Sequence, residues 1–212
     1  MEDKMKKNEV MTIVNNLKGK RSGTHPCQND EEFVILANWI EKCNDMDGHF
    51  VEIGAYEGFT SEFIFNLKGA KKKLFLCDTF EGLVDVCEED SSLGIPNGLL
   101  KVDYEKFLQL NNFADDSTVT VVRGYFPDSS TAKMDKAKYC FVHIDTDTYH
   151  STLKSLEYFY SKMVSGGVII VHDYMAHPGM RAVKKAVNEF MSDKEDSLTT
   201  EPGSTQGIIV KI

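Results

Sequence analysis

Two short segments of this chain concentrate ionisable side chains directly behind apolar runs. One reads His143-Ile144-Asp145-Thr146-Asp147-Thr148-Tyr149-His150, the other Ile170-Val171-His172-Asp173-Tyr174. If the two runs are neighbouring strands, their tips lie about 5 Å apart. The carboxylates of Asp145 and Asp173, with His172 beside them, then suit one divalent cation, with positions left open for a substrate oxygen. An alcohol is a poor nucleophile at neutral pH. A cation on its oxygen lowers its pKa, and a nearby carboxylate can take the proton; Asp147 is the candidate base. Residues 145 and 147 fall on one side of an extended segment, but the chain turns here, so alternation alone does not separate their roles. Two plainer readings compete: Asp147 as the cap of a helix starting near Ser151, and His172 as a hydrogen-bonded residue at a strand end. His143, mid-strand among apolar neighbours, reads as a satisfied buried histidine. His150 and His177 stay open as substrate-side groups.

A second constellation follows an earlier apolar run, Val51-Glu52-Ile53-Gly54-Ala55-Tyr56-Glu57-Gly58-Phe59-Thr60-Ser61. It reads as a strand, a glycine turn and a helix start, which is where open α/β sheets bind ligands. The spacing is not the Gly-x-Gly-x-x-Gly that wraps a pyrophosphate. Glu52 decides on sign: beside a pyrophosphate it is repulsive, and beside a ligand carrying a sulfonium and an ammonium it is attractive. S-adenosylmethionine carries both cations. Candidate cofactor contacts in the turn are therefore Glu52, Gly54, Ala55, Tyr56, Gly58, Thr60 and Ser61. The next run ends in Cys77-Asp78-Thr79-Phe80, placing the Asp78 carboxylate where it can accept hydrogen bonds from ribose hydroxyls, with Thr79 and Phe80 beside it. Taken alone, a Gly-x-x-x-Gly after a strand is as often a tight packing turn.

The elements that must position these residues are legible as alternation. Five short apolar runs, residues 49–53, 73–77, 118–122, 139–144 and 168–171, read as buried strands, with helical patterns at 61–67, 104–110 and 151–163 between them. Strand and helix in turn predict a parallel, doubly wound sheet. A helix over 179–191 and two extended runs, 197–201 and 207–212, follow. The Pro202-Gly203 turn between those runs is too short for a parallel crossover, so they form an antiparallel hairpin. Ahead of the sheet, Asp30 is a plausible N-cap for a helix carrying Phe33, Val34, Ala37 and Ile40. Residues 1–30 read as a short helix and loop, an N-terminal flap on the domain formed by residues 31–212. The acidic loop 81–98 is the longest irregular stretch and the expected mobile cover.

Composition narrows the partners. The 212 residues, 42% hydrophobic, suffice for one core. Acidic residues outnumber basic ones, 33 to 24, giving a net charge of -9. That charge argues against nucleic acid and membrane surfaces as partners. Five scattered cysteines without metal spacing fit a reduced, cytoplasmic compartment. The run from Val10 to Val14 is too brief for a signal-peptide core or a membrane span. The oligomeric state is left open, a homo-oligomer included.

The segments Ile144-Asp-Thr-Asp-Thr-Tyr-His-Ser-Thr152, Ser165-Gly-Gly-Val-Ile-Ile-Val-His-Asp-Tyr174, Pro178-Gly-Met-Arg-Ala-Val-Lys-Lys-Ala-Val-Asn-Glu-Phe190 and Arg123-Gly-Tyr-Phe126 resemble the macrocin O-methyltransferase family. Those are S-adenosylmethionine enzymes that methylate sugar hydroxyls in natural-product glycosides. The resemblance runs from about Phe50 onward. It implies a Rossmann-like α/β methyltransferase with a mostly parallel seven-stranded sheet, and a small-molecule hydroxyl acceptor, in all expectation a sugar or sugar-linked one. It also implies cofactor contacts at Gly124, Tyr125 and Asp145, a metal ligand at Asp145 and the general base at Asp147. The family's two remaining metal-binding acids fall on His172 and Asp173. One acid has become histidine, which weakens the case for magnesium (Mg2+) and admits a transition metal. Three other readings compete. Asp145-Thr-Asp147 looks like the nucleophile motif of haloacid dehalogenase-type phosphatases, but that motif normally ends the first strand of its domain. A nicotinamide-dependent oxidoreductase is opposed by Glu52 and the missing third glycine. An inactive methyltransferase-like binding module has only His172 to recommend it.

Overall fold

Strand residues of alternating parity are buried on opposite faces of one sheet, so both faces must be covered by helices. The computed structural model describes residues 6–21, 26–94, 96–176 and 181–212. Its strands are β1 (His49–Ile53), β2 (Leu74–Asp78), β3 (Val119–Arg123), β4 (Tyr139–Ile144), β5 (Met163–Val171), β6 (Ser197–Thr199) and β7 (Gly207–Val210). They form one seven-stranded sheet in the order β3-β2-β1-β4-β5-β7-β6. The first five are parallel, and β7 runs antiparallel to both β5 and β6. The doubly wound sheet and its terminal hairpin are as the sequence predicts.

The helices are α1 (Lys7–Lys20), α2 (Asp30–Asn44), α3 (Phe59–Leu67), α4 (Tyr104–Leu110), α5 (Ala132–Lys136), α6 (Tyr149–Tyr160) and α7 (Arg181–Met191). On one face, Val10, Val14 and Leu17 of α1, Phe33 and Leu36 of α2, Phe63 of α3 and Phe107 of α4 pack on Phe50, Leu76, Phe141 and Ile170. On the other, Met134 of α5, Leu156 and Phe159 of α6, and Val183 and Val187 of α7 cover Val51, Phe75, Val142 and Ile169. Residues 6–20 thus share the core of the domain they precede. Arg21, 6% exposed, ties the end of α1 to α3 through Glu62 at 2.7 Å and the Glu57 carbonyl at 3.0 Å.

Several boundaries differ from expectation. Asn29, not Asp30, caps α2: its side chain accepts from the Glu32 amide while Glu32 accepts from the Asn29 amide, the reciprocal arrangement that satisfies two free donors. Helix α6 starts two residues before Ser151 and stops at Tyr160, because the chain from Met163 is already strand. That strand was expected only from Val168, since Ser165-Gly166-Gly167 reads as a turn. Instead β5 runs through a bulge there: Gly166 takes φ +79°, and the register against β4 shifts between Tyr139 and Phe141. A 3-10 helix, Glu88–Leu93, stands inside the acidic loop, and the short α5 had no periodicity long enough to show. Among the described residues no helix is long and apolar enough to cross a membrane.

Candidate active site

The order of the sheet reverses between β1 and β4, and a crevice opens there beyond the carboxyl ends of the strands. Register makes the site a row. Ile53 pairs with Cys77 and with Ile144, and Ile144 pairs with Val171. One residue further along each strand stand Asp78, Gly54, Asp145 and His172. The ladder continues through them: the amides of Gly54, Asp145 and His172 donate to the carbonyls of Cys77, Ile53 and Ile144 at 2.8–2.9 Å. Only glycine fits the middle of this row, because a Cβ on Gly54 would sit 1.8 Å from the Asp145 carbonyl oxygen.

Past the row the backbone is strained. Among the described residues, the non-glycine ones with positive φ are Tyr56 (48°), Phe80 (57°), Leu100 (64°), Asp147 (62°) and Asp173 (61°). Four of them line a single cavity, and Phe80 follows a lining residue, Thr79. Such conformations cost about 1–3 kcal/mol each and persist where the surroundings force a side chain to a particular place.

The cavity encloses about 330 Å³, within the range of small-molecule sites. Of the residues expected at the cofactor, Gly54, Tyr56, Asp78, Thr79, Gly124, Tyr125 and Asp145 line it; so do Asp147, His172 and Asp173. Asp78 holds the turn as well as facing the cavity: its oxygens accept from the amides of Tyr56 at 2.8 Å and Phe80 at 2.7 Å. Burial pushes its carboxyl up despite these bonds. Glu52, Ala55, Gly58, Thr60, Ser61 and Phe80 are not at the cavity wall. Glu52 is buried on the α3 face, where it accepts from the Ser61 hydroxyl and meets His143 Nδ1 at 3.1 Å. Burial raises its pKa against those two partners. His143 is buried as expected but only half satisfied, because its Nε2 has no partner. Gly58 begins α3 in the left-handed region, where a side chain would strike Asn111.

Sequence reasoning did not single out Cys27 at the rim or Ser151 and Ser155 of α6. The acidic loop lies at the opening as expected, through Gly82, Leu83 and Val84, with Leu100 just beyond it. That loop is fastened rather than free. Leu83 and Leu99 pair at its neck at 2.9 Å, and Asp85 accepts from Tyr125 and from Lys154 at 3.3 Å. Asp90, fully buried, accepts from the Tyr149 amide at 2.9 Å. Asp90 thus caps α6, and Asp147 does not; the N-cap residue Thr148 makes no side-chain bond either. His150 stands with Cys87 and Glu89 near the loop rather than at the cavity wall, and His177 lies outside the described residues.

At the chemical end, Asp145, His172 and Asp173 each present a ligand atom within 4.8 Å of the others. His172 Nδ1 is 3.1 Å from both Asp145 Oδ1 and Asp173 Oδ2, yet buried without a well-formed hydrogen bond to either. A nitrogen so placed between two carboxylate oxygens suits a shared cation, so the residues fit the metal that the family resemblance implies. Burial lowers the His172 pKa, but Asp145, Asp173 and Glu32 outweigh it and hold the imidazole well above the usual histidine range. For Asp145, burial is outweighed by His172, His143 and Gln28, and its pKa falls. Asp147 goes the other way: burial and then the charges of Asp145 and Asp173 lift it well above the carboxylate range.

This strand order, with its crevice at the reversal, is the Rossmann-like methyltransferase fold. The crystal structure of a calicheamicin methyltransferase superposes with a TM-score of 0.71 at 16% identity, covering 99% of this chain and 94% of that one. Asp145 directly follows β4, the fourth strand in chain order, which separates it from the phosphatase arrangement weighed above. A demethyldecarbamoylnovobiocin O-methyltransferase from Streptomyces niveus is 30% identical over 174 residues, 74% of this chain and 64% of that enzyme. The 8-demethyl-8-(2,3-dimethoxy-alpha-L-rhamnosyl)-tetracenomycin-C 4'-O-methyltransferase from Streptomyces olivaceus is 24% identical over 160 residues, 68% of this chain and 58% of that one. The chain thus spans less than two thirds of the length of these two relatives. The model of the macrocin-O-methyltransferase (TylF) family matches residues 34–201, and the chain belongs to that family.

Proposed function

We propose that the chain is an S-adenosylmethionine-dependent O-methyltransferase, assisted by a divalent cation, acting on a hydroxyl of a sugar or sugar-linked small molecule. The observation that carries this reading is the row itself. One cavity has a ribose-type carboxylate, Asp78, at one end and the Asp145-His172-Asp173 set at the other, with Gly54 between them leaving room for the Asp145 backbone. Family membership supports the reaction class, and the rhamnosyl group in the name of the Streptomyces olivaceus relative supports the acceptor class. Five free cysteines are consistent with a reduced compartment such as the cytoplasm.

In this reading Asp78 accepts from ribose hydroxyls, and Tyr56, Gly124 and Tyr125 wall the cofactor side. Asp145, His172 and Asp173 would hold the cation, which would supply Lewis acidity to the acceptor oxygen. Asp147 would take the hydroxyl proton. The cofactor would supply an electrophilic methyl carbon, its carbon–sulfur bond breaking as the acceptor oxygen bonds to that carbon and the electron pair leaving with sulfur as a neutral thioether. The loop over the cavity limits water access to the transfer.

The test is calorimetric titration of purified protein with S-adenosylhomocysteine, with and without Mg2+ or Mn2+ and with NAD as control, followed by methyl transfer to nucleotide-linked and glycoside sugars. Micromolar binding of the thioether, none of NAD, and a methylated sugar are expected. A folded sample that ignores the thioether would sink the proposal; binding without turnover on any sugar would favour the inactive module.

A further inference from the structure

We infer that Glu32, a residue of α2 outside the cavity wall, is a positioning residue that sets which nitrogen of His172 faces the metal. This rests on the metal-assisted reading above. Glu32 is 2% exposed, although a glutamate in a helix-capping pair normally stands at the surface. The cap uses only its bond from the Asn29 amide, at 2.8 Å. Its other oxygen accepts from the Thr205 amide at 2.8 Å and the Thr205 hydroxyl at 2.7 Å, which fixes the carboxylate from both ends of the chain. So held, its Oε2 lies 3.5 Å from His172 Nε2. The opposite ring nitrogen, Nδ1, is the one between Asp145 and Asp173.

A cation that binds Nδ1 displaces the proton there, so a metal-bound imidazole carries a single N–H. With that proton on Nε2, on the side of the Glu32 carboxylate, the Nδ1 lone pair is left for a metal, and the charge of Glu32 favours this orientation of the ring over the flipped one. Glu32 also places a negative charge 3.5 Å from the ring, at the nitrogen opposite Asp145 and Asp173. The arrangement has a parallel at the neighbouring ligand. Gln28, 4% exposed, donates from Nε2 to Asp145 Oδ2 at 2.8 Å and is itself held by the Thr60 hydroxyl, which leaves Oδ1 on the His172 side. One short segment, residues 28–32, therefore orients two of the three ligands.

The experiment measures Mn2+ binding by electron paramagnetic resonance for the full chain and for E32Q, H172D and E32Q/H172D, alongside S-adenosylhomocysteine affinity without metal. E32Q keeps hydrogen-bonding capacity toward Thr205 and removes the charge. Its Mn2+ affinity is expected to fall about 10- to 100-fold with thioether affinity unchanged, and the same change in the H172D background is expected to do little, since no imidazole remains to orient. Equal Mn2+ affinity in E32Q and the unaltered protein overturns the inference, and so does an equal loss in both backgrounds, which marks a merely structural role. If the unaltered protein binds no divalent ion, the metal-assisted reading falls together with this one. Should E32Q fail to fold, histidine-labelled ¹⁵N spectra of the unaltered protein with Zn2+ decide. A protonated Nε2 and metal-bound Nδ1 are expected, and the reverse assignment overturns the inference.

Discussion

At the scale of single residues, the site is built from side chains whose backbone is held where it would not rest alone. Asp147 at φ +62° is the clearest case, and it allows a clean substitution. Asparagine tolerates the left-handed region, so D147N keeps the turn while removing the proposed proton acceptor. Turnover is expected to fall about 10²- to 10⁴-fold, with S-adenosylhomocysteine affinity retained in calorimetry; a variant with near-normal turnover would move the base elsewhere. Among the cavity-lining residues, those legible in the sequence include the ones that stand just past a strand end: Asp78, Gly54, Asp145, Asp147, His172 and Asp173. Glu52 shows the limit of that reasoning. Its charge argued for a cationic ligand, but alternation along β1 turns it toward Ser61 and His143. Glu32 and Gln28 were illegible for a different reason: their partners Thr205 and Asp145 are 173 and 117 positions away, and no periodicity relates them.

At the scale of elements, two tethers invite tests. Asp90 satisfies a free amide at the start of α6 and the Cys87 amide at 3.0 Å, so it joins the covering loop to the helix behind Asp147. D90A is expected to cost about 1–2 kcal/mol of stability and to speed hydrogen exchange at the Leu83 and Gly98 amides. Unchanged exchange would mean the neck of the loop holds without it. The second tether is Asp196, which precedes β6 and accepts from Tyr160, from the Ile212 amide at 2.6 Å and from Lys211 at 3.3 Å. Burial raises its pKa, but these donors outweigh it and hold the carboxyl below its ordinary value. A depressed folded-state pKa stabilises above the unfolded value and loses that contribution as pH falls. D196N is therefore expected to be less stable than the unaltered chain by about 1.5–3 kcal/mol at pH 7, with the gap closing below about pH 4 in urea titrations. A gap independent of pH would assign the effect to packing. Strand and helix identities were readable because apolar period is a local signal. The run through Ser165-Gly166-Gly167 was not, because its pairing with Lys211 is what makes it strand.

At the scale of the molecule, the chain wraps its site from both directions. Helix α1 contributes Val10, Val14 and Leu17 to the same core that carries β1 and β4. Burying three such side chains is worth about 5–9 kcal/mol, comparable to the whole stability of an ordinary domain. A chain beginning at residue 26 is accordingly expected to lack a cooperative thermal transition by calorimetry. An unchanged melting temperature would instead make α1 a detachable flap. Sheet order has a consequence for synthesis on the ribosome. Strand β6 emerges before β7, yet its one neighbour in the sheet is β7, and β7 is also what covers the edge of β5. Until residues 205–210 have left the exit tunnel, the nascent chain holds an orphan strand, a bare edge beside His172 and a Glu32 without its Thr205 donors. The edge of the sheet beside His172 is therefore closed only when β7 takes its place between β5 and β6.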